Sequence, residues 1–285
     1  MTRISIGLFS LCLFVLPVRA QTKVDPPESD PVPLRGTLVI VGGGEMPASV
    51  IEAFVKSAGG AKGSLVVVPT ASTYADKEPE KSTIDLWQKR GMGRVSVLHS
   101  RSREKANEAE FVKPLKEATA VWLGGGDQKR LTDAYKNTLV EKEMHQLLQR
   151  GGTIGGTSAG AAVMSRLMIT GGKAPAQIGE GFGFLPGGVV DQHFLKRDRV
   201  DRLLDVLHRH PGWFGLGIDE GTAAIVQGRT ITIAGTSMAM LCQRSTPDVP
   251  TSCRVLHAGD KIDLIDISRA ARGRAKIAAK QTDTK

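Results

Sequence analysis

A serine hydroxyl becomes a useful nucleophile only where the backbone holds it out toward substrate and a neighbouring base takes its proton. Residues Gly156-Thr157-Ser158-Ala159-Gly160 have the G-x-S-x-G form of such a presentation. A short apolar strand runs in through Gly155 and Gly156, and Ala159-Gly160-Ala161-Ala162-Val163-Met164 leads out as small helix formers. A sharp strand-to-helix turn tolerates no bulk on either side of a strained nucleophile. Ser158 would then stand at the head of a helix, with the Ala159 N–H aimed at the oxyanion that attack creates. An ordinary glycine-rich turn or an anion-binding loop carries the same five-residue pattern, so the assignment depends on the residues that accompany it.

A second glycine turn, Leu123-Gly124-Gly125-Gly126-Asp127-Gln128, follows the apolar run 120–123 and precedes an expected helix. In open α/β sheets functional loops gather at the carboxyl ends of strands, so this turn can share a crevice with Ser158. N–H groups near Gly126 would be further oxyanion donors, and Gln128 would bond a polar substrate. No Walker-type Lys-Ser or Lys-Thr follows these glycines, which counts against phosphate binding.

Histidine is the usual base for serine because its pKa lies near neutrality. Of six histidines, His193 has the most informative setting: Val189-Val190-Asp191-Gln192-His193-Phe194 ends an apolar run in polar groups, with Arg197, Arg199 and Arg202 just downstream. Arginines on a loop and the first turn of a helix grip carboxylates bidentately, which points to an acidic or zwitterionic substrate. A solvated basic helix face would carry the same arginines. In Ile218-Asp219-Glu220-Gly221-Thr222, Glu220 can orient His193 and stabilise its imidazolium, completing a triad.

These residues need a scaffold that brings distant turns together. Short β-branched apolar runs at 37–41, 64–68, 94–98, 120–123 and 153–154 alternate with amphipathic stretches at 47–58, 80–90, 108–117 and 138–150. That alternation predicts an α/β fold, a doubly wound and mostly parallel sheet with helices on both faces. After Gly217 the runs 222–227 and 230–234, split by Gly228-Arg229, predict an antiparallel meander, which a strand at 237–242 would continue at the sheet edge.

The ends are set apart by composition. Arg3, the apolar run 4–16 and Val18-Arg19-Ala20 predict a signal peptide over 1–20. That run is too short to span a bilayer, and no second long apolar stretch follows, so no membrane attachment is expected once the signal is removed. Cys12 lies inside the run and follows Leu11, a poor setting for a lipid anchor. Residues 21–35, with Pro26, Pro27, Pro31 and Pro33, predict a linker, and 267–285 predict a basic solvated tail, with a frayed helix as the alternative. The globular domain is placed at 36–266, and the chain is expected to be exported, secreted or periplasmic. Cys242 and Cys253 would be the cysteines of the mature chain, free to pair in an oxidising compartment.

Loss of Arg3 and Arg19 takes the formal charge from +9 to +7, which favours anionic partners. Only 5% of residues are Phe, Trp or Tyr, and no aromatic residues interleave the basic ones, so nucleic acid is not expected as a partner. No Cys/His spacing resembles a metal site, and no cofactor is expected. The sequence leaves the oligomeric state open, a homodimer included.

Taken together, Gly42-Gly43-Gly44, Gly125-Gly126-Asp127-Gln128, Gly156 to Gly160, and Asp191-Gln192-His193-Phe194 with its spaced arginines resemble, in order, the cyanophycinase branch of the S51 serine peptidases. The resemblance runs from about residue 36 to 243. It implies a class I glutamine amidotransferase-like, flavodoxin-like fold, with Ser158 as nucleophile, His193 as base and Glu220 as acid. The related aspartyl dipeptidases place their acid between serine and histidine, where this chain offers Glu180. The resemblance further implies that Gln128, Asp191, Gln192, Arg197, Arg199 and Arg202 hold a β-aspartyl-arginine unit. The implied substrate is cyanophycin, an aspartate backbone with arginine on each β-carboxyl, cleaved to β-Asp-Arg dipeptides. Small β-aspartyl or aspartyl peptides are the alternative substrates, and a non-catalytic relative that binds an acidic polymer is the alternative role.

Overall fold

The structure, a computed structural model, describes residues 24–245 and 251–282, so the expected signal peptide lies outside the described residues. Strand β1 (Leu34–Val41) leads through helix α1 (Ala48–Ser57) to β2 (Ser64–Val68), then through α2 (Glu80–Lys89) to β3 (Arg94–Val97). Helix α3 (Ala109–Glu117) returns to β4 (Ala120–Leu123), and α4 (Gln128–Tyr135) with α5 (Leu139–Gln149) returns to β5 (Thr153–Thr157). These strands form a parallel sheet in the order β3-β2-β4-β5-β1.

Its strands are apolar on both sides because both sides are covered. Leu38, Ile40, Val66, Val68, Val121 and Leu123 face α3, α4 and α5. The alternate residues Val39, Val41, Leu65, Val67 and Trp122 face α1 and α2, where Phe54, Trp87 and Trp122 meet with ring centroids 4.8–5.2 Å apart. The mostly parallel, two-faced α/β architecture expected from the sequence is the one observed.

The chain then leaves the sheet. After α6 (Ala159–Ala162) comes a hairpin of β6 (Leu167–Gly171) and β7 (Gln177–Glu180), followed by β8 (Gly188–Gln192), α7 (Val200–Arg209) and β9 (Phe214–Ile218). Strand β10 (Thr222–Gly228) rejoins the main sheet antiparallel to β1, and β11 (Thr230–Gly235) extends it. The next strand, β12 (Ala239–Gln243), does not continue that meander. It crosses to a second sheet in the order β13-β12-β9-β8, where β13 is Ser252–Leu256, and the edge beside β11 goes to β14 (Lys261–Asp263). Cys242 and Cys253 are register partners across β12 and β13, with Cα atoms 4.1 Å apart, and are joined by a disulfide.

The segments read as linker and tail both pack onto the domain. Helix α8 (Leu264–Thr282) occupies most of the tail, with Ile267 and Ala271 buried one turn apart on the face that meets the core. The proline-rich segment lies along the molecule: Val24 is buried against Trp213 and its neighbours, and Asp30 pairs with Arg269 and Arg272 of α8. Among the described residues no helix is long and apolar enough to cross a membrane.

Candidate active site

Three neighbouring parallel strands, β4, β5 and β1, end at one edge of the sheet. Three short segments leave that edge: Gly124–Gly126 after β4, Ser158 after β5 and Gly42–Gly44 after β1. Antiparallel β10 begins where β1 ends, with the Gly42 N–H donating to Thr222 O at 2.9 Å. The turn before β10, which carries Glu220, is thereby fixed at the same edge.

Ser158 sits between strand and helix at φ 52°, ψ −111°, a strained conformation for a residue with a Cβ. Such an elbow closes only if its flanks are bare. A Cβ on Gly160 would lie 2.2 Å from Leu123 O, and the Ser158 N–H is tied to Val41 O at 3.1 Å. Ala159 opens α6, so its N–H is among the first of the helix, which lack intrahelical acceptors. The Gly125 turn stands against Ser158: a Cβ there would be 3.5 Å from that of the serine. Hydrogen bonds from the Gly124 N–H to Val68 O and from the Asp127 N–H to Ala71 O anchor that turn on either side of Gly125 and Gly126.

His193 follows β8 with φ 48°, another left-handed non-glycine residue. Its N–H donates to Gly42 O at 2.7 Å, and its ring lies over Gly43, where any Cβ would come within 2.3 Å of the imidazole. Ring nitrogen Nε2 is 2.8 Å from Ser158 Oγ, and Nδ1 is 2.6 Å from Glu220 Oε1. With Glu220 ionised, Nδ1 keeps the proton and donates it to the carboxylate, leaving Nε2 to accept the Ser158 hydroxyl. Burial lowers the His193 pKa, the Glu220 hydrogen bond opposes this, and the positive charge of Arg197 adds to the lowering, so the ring is neutral at pH 7. A neutral imidazole hydrogen-bonded to both a hydroxyl and a carboxylate is equipped for general-base chemistry.

Glu180, the alternative acid, is not part of this group. It lies on β7, and its carboxylate faces Lys136 at 3.5 Å and Arg166 at 3.6 Å.

The residues expected to hold substrate divide sharply. Asp191 has a fully buried side chain whose carboxylate receives Nε and Nη2 of Arg202, and Arg202 also donates to Gly172 O. The resemblance implies Asp191 as a substrate contact; in the structure its carboxylate is already occupied by Arg202, with Arg199 3.6 Å away. Gln192 accepts from Arg199 through both its backbone O and its side-chain Oε1, at 2.6 and 2.9 Å. Burial and the adjacent Arg202 bring Arg199 down to about 10, which leaves it charged at neutral pH. The amide nitrogen of Gln128 is committed to the carbonyls of Ile169 and Thr170 on β6. Arg197 alone of the three arginines is exposed on the loop after His193.

Two contributors carried no role in the sequence: the Gly42–Gly44 turn that seats His193, and Asp219. A glycine triplet directly after an apolar strand was the available signal for the first. Asp219 offered none beyond standing next to Glu220.

Residues 38–234 match the model of peptidase family S51. A cyanophycinase of Geminocystis herdmanii (strain PCC 6308) is 34% identical over 208 residues, covering 68% of this chain and 75% of that protein. A probable alpha-aspartyl dipeptidase of Drosophila melanogaster is 29% identical over 184 residues, covering 59% and 72%. Among solved structures, a peptidase from an acI-B1 actinobacterium superposes with a TM-score of 0.62 at 26% identity, covering 81% of this chain and 97% of the other. The matched span holds Ser158, His193 and the turn that carries Glu220, and the chain belongs to peptidase family S51 and is a peptidase.

Proposed function

We propose that this chain is an exported serine peptidase that hydrolyses cyanophycin to β-Asp-Arg dipeptides, with Ser158, His193 and Glu220 as its catalytic triad. The observation that carries the reading is the unbroken relay from Ser158 Oγ through His193 to Glu220 beside a cationic loop, together with the cyanophycinase likeness. Ser158 Oγ attacks the carbonyl that joins successive aspartyl units while Nε2 takes its proton. The N–H groups of Ala159 and Gly126 stabilise the oxyanion. As the tetrahedral intermediate collapses, Nε2 returns the proton to the leaving amine and the C–N bond breaks. Water then attacks the acyl carbonyl as Nε2 takes one of its protons; collapse breaks the ester bond, Nε2 returns that proton to Ser158 Oγ, and the acyl group leaves as a free carboxylate. Glu220 keeps the ring oriented and stabilises the imidazolium formed at each stage.

Arg197 meets substrate carboxylates directly, while Arg199, Gln192, Gln128, Asp191 and Arg202 shape the wall behind it. The signal-like first twenty residues support export, and the Cys242–Cys253 disulfide suits an oxidising compartment. Incubation of the purified mature chain with cyanophycin, with mass spectrometry of the products, tests the substrate: β-Asp-Arg is the expected product. Cleavage of short aspartyl or isoaspartyl dipeptides without attack on the polymer would favour the second reading, which the dipeptidase likeness supports. Export is checked by sequencing the amino terminus of the mature protein, expected at Gln21.

A further inference from the structure

Asp219 precedes Glu220 in the β9–β10 turn, and its half-buried carboxylate joins three segments that meet only in the fold. Oδ1 accepts the backbone N–H groups of Leu195 and Lys196, at 3.1 and 2.9 Å, in the loop directly after His193. Oδ2 accepts the Ser237 hydroxyl at 2.9 Å, from the connection between β11 and β12. The Asp219 N–H itself donates to Met238 O at 3.2 Å. These bonds hold its carboxyl below the usual range although burial pushes the other way.

Both neighbours of this clasp need holding. His193 has a positive φ, as does Asp198 at 49°, so the loop between them leaves and re-enters left-handed backbone within six residues. Such conformations persist only where surrounding contacts over-determine them. Resting on the triad proposed above, we infer that Asp219 is a positioning residue for this hydrolase: one carboxylate fixes the backbone behind the base and the turn that carries the acid, setting the distance between them. Because both loop N–H groups meet the same oxygen, an asparagine would keep those two bonds, and its NH2 would face a serine hydroxyl able to accept.

The test uses the full mature chain and needs no polymer. The rate at which a fluorophosphonate labels Ser158 reports the activated hydroxyl, and a downfield proton resonance reports the His193–Glu220 hydrogen bond. Asp219→Ala should slow labelling by about ten- to a hundredfold, the range for a misplacement of roughly 1 Å, and should broaden or lose the resonance. Asp219→Asn should restore both to within about threefold of wild type, since its hydrogen bonds survive. Ser237→Ala, which removes one bond from the other oxygen, should fall between them and guards against an alanine variant that fails to fold. Wild-type labelling by Asp219→Ala, equal slowing in the alanine and asparagine variants, or failure of wild-type Ser158 to label would each overturn the inference. Rapid wild-type labelling with no attack on cyanophycin would remove the substrate assignment and leave this one standing.

Discussion

Asp191 and His193 stand two residues apart at the end of β8, and each belongs to a hydrogen-bonded pair of carboxylate and nitrogen base, yet the pairs run to different ends. The Asp191–Arg202 pair is buried and finishes on a backbone carbonyl, Gly172 O, at the β6–β7 hairpin. The Glu220–His193 pair keeps Glu220 31% exposed and finishes on Ser158 Oγ. Charge near a catalytic crevice therefore does two kinds of work: the first pair holds a wall in place, and the second leaves a base poised next to a hydroxyl. Composition cannot tell them apart. The terminus of the chain of hydrogen bonds can.

Variants that break one pair or the other sharpen the contrast. The largest effect is expected at the open end: Ser158→Ala should lower kcat by about 10⁴-fold or more while the protein stays folded, measured as product release with unfolding followed by circular dichroism. Next, Glu220→Gln should cost about 10²- to 10⁴-fold in kcat. It should also move the acid limb of kcat/KM to lower pH, because the Glu220 hydrogen bond raises the His193 pKa. At the closed pair, Arg202→Met removes both hydrogen bonds from a buried carboxylate, leaves it the Arg199 guanidinium at 3.6 Å, and should cost up to about 3–5 kcal/mol of stability, read as a fall in Tm. A rise in KM with unchanged Tm would instead mean that Arg202 reaches substrate, and the contrast would collapse.

The smallest effect is expected at Arg197, whose charge lowers the His193 pKa. In the wild type the acid limb of kcat/KM should lie below 6.5, since burial lowers the base and only its neutral form accepts a proton. Arg197→Ala should move that limb up toward the ordinary value and raise KM. A limb that stays in place would separate the arginine from the base.

The parallel half of the fold was legible because its strands are buried on both faces: 65–68 and 120–123 are short unbroken apolar runs, rich in valine and bounded by turn residues. Ser158 was legible for a local reason, since an elbow needs small residues beside it in sequence. Spacing alone does not say which of Glu220 and Glu180 lies against His193. The contact with Glu220 follows from β10 pairing antiparallel with β1, between residues far apart in the chain. The second sheet was invisible for the same reason: β12 is as apolar as a continued meander would be, and only its partners distinguish the two. In α8 the buried positions among the described residues, Leu264, Ile267, Ser268 and Ala271, stand among basic neighbours, so the segment read as solvated. The substrate-facing assignments were the least secure because a buried arginine and an exposed one have the same letter.

The relay is drawn from two sheets: Ser158 leaves the main one, His193 leaves the second, and Glu220 sits in the turn where the chain passes from the second back to the first. Time enters here. The hydroxyl can be presented as soon as the parallel strands associate, but a base reaches it only after β8 and β9 have paired and β10 has docked on β1, contacts of long sequence separation that form slowly. During refolding, secondary structure should return ahead of hydrolytic activity, and a chain still emerging from synthesis would carry Ser158 before the proposed base can reach it.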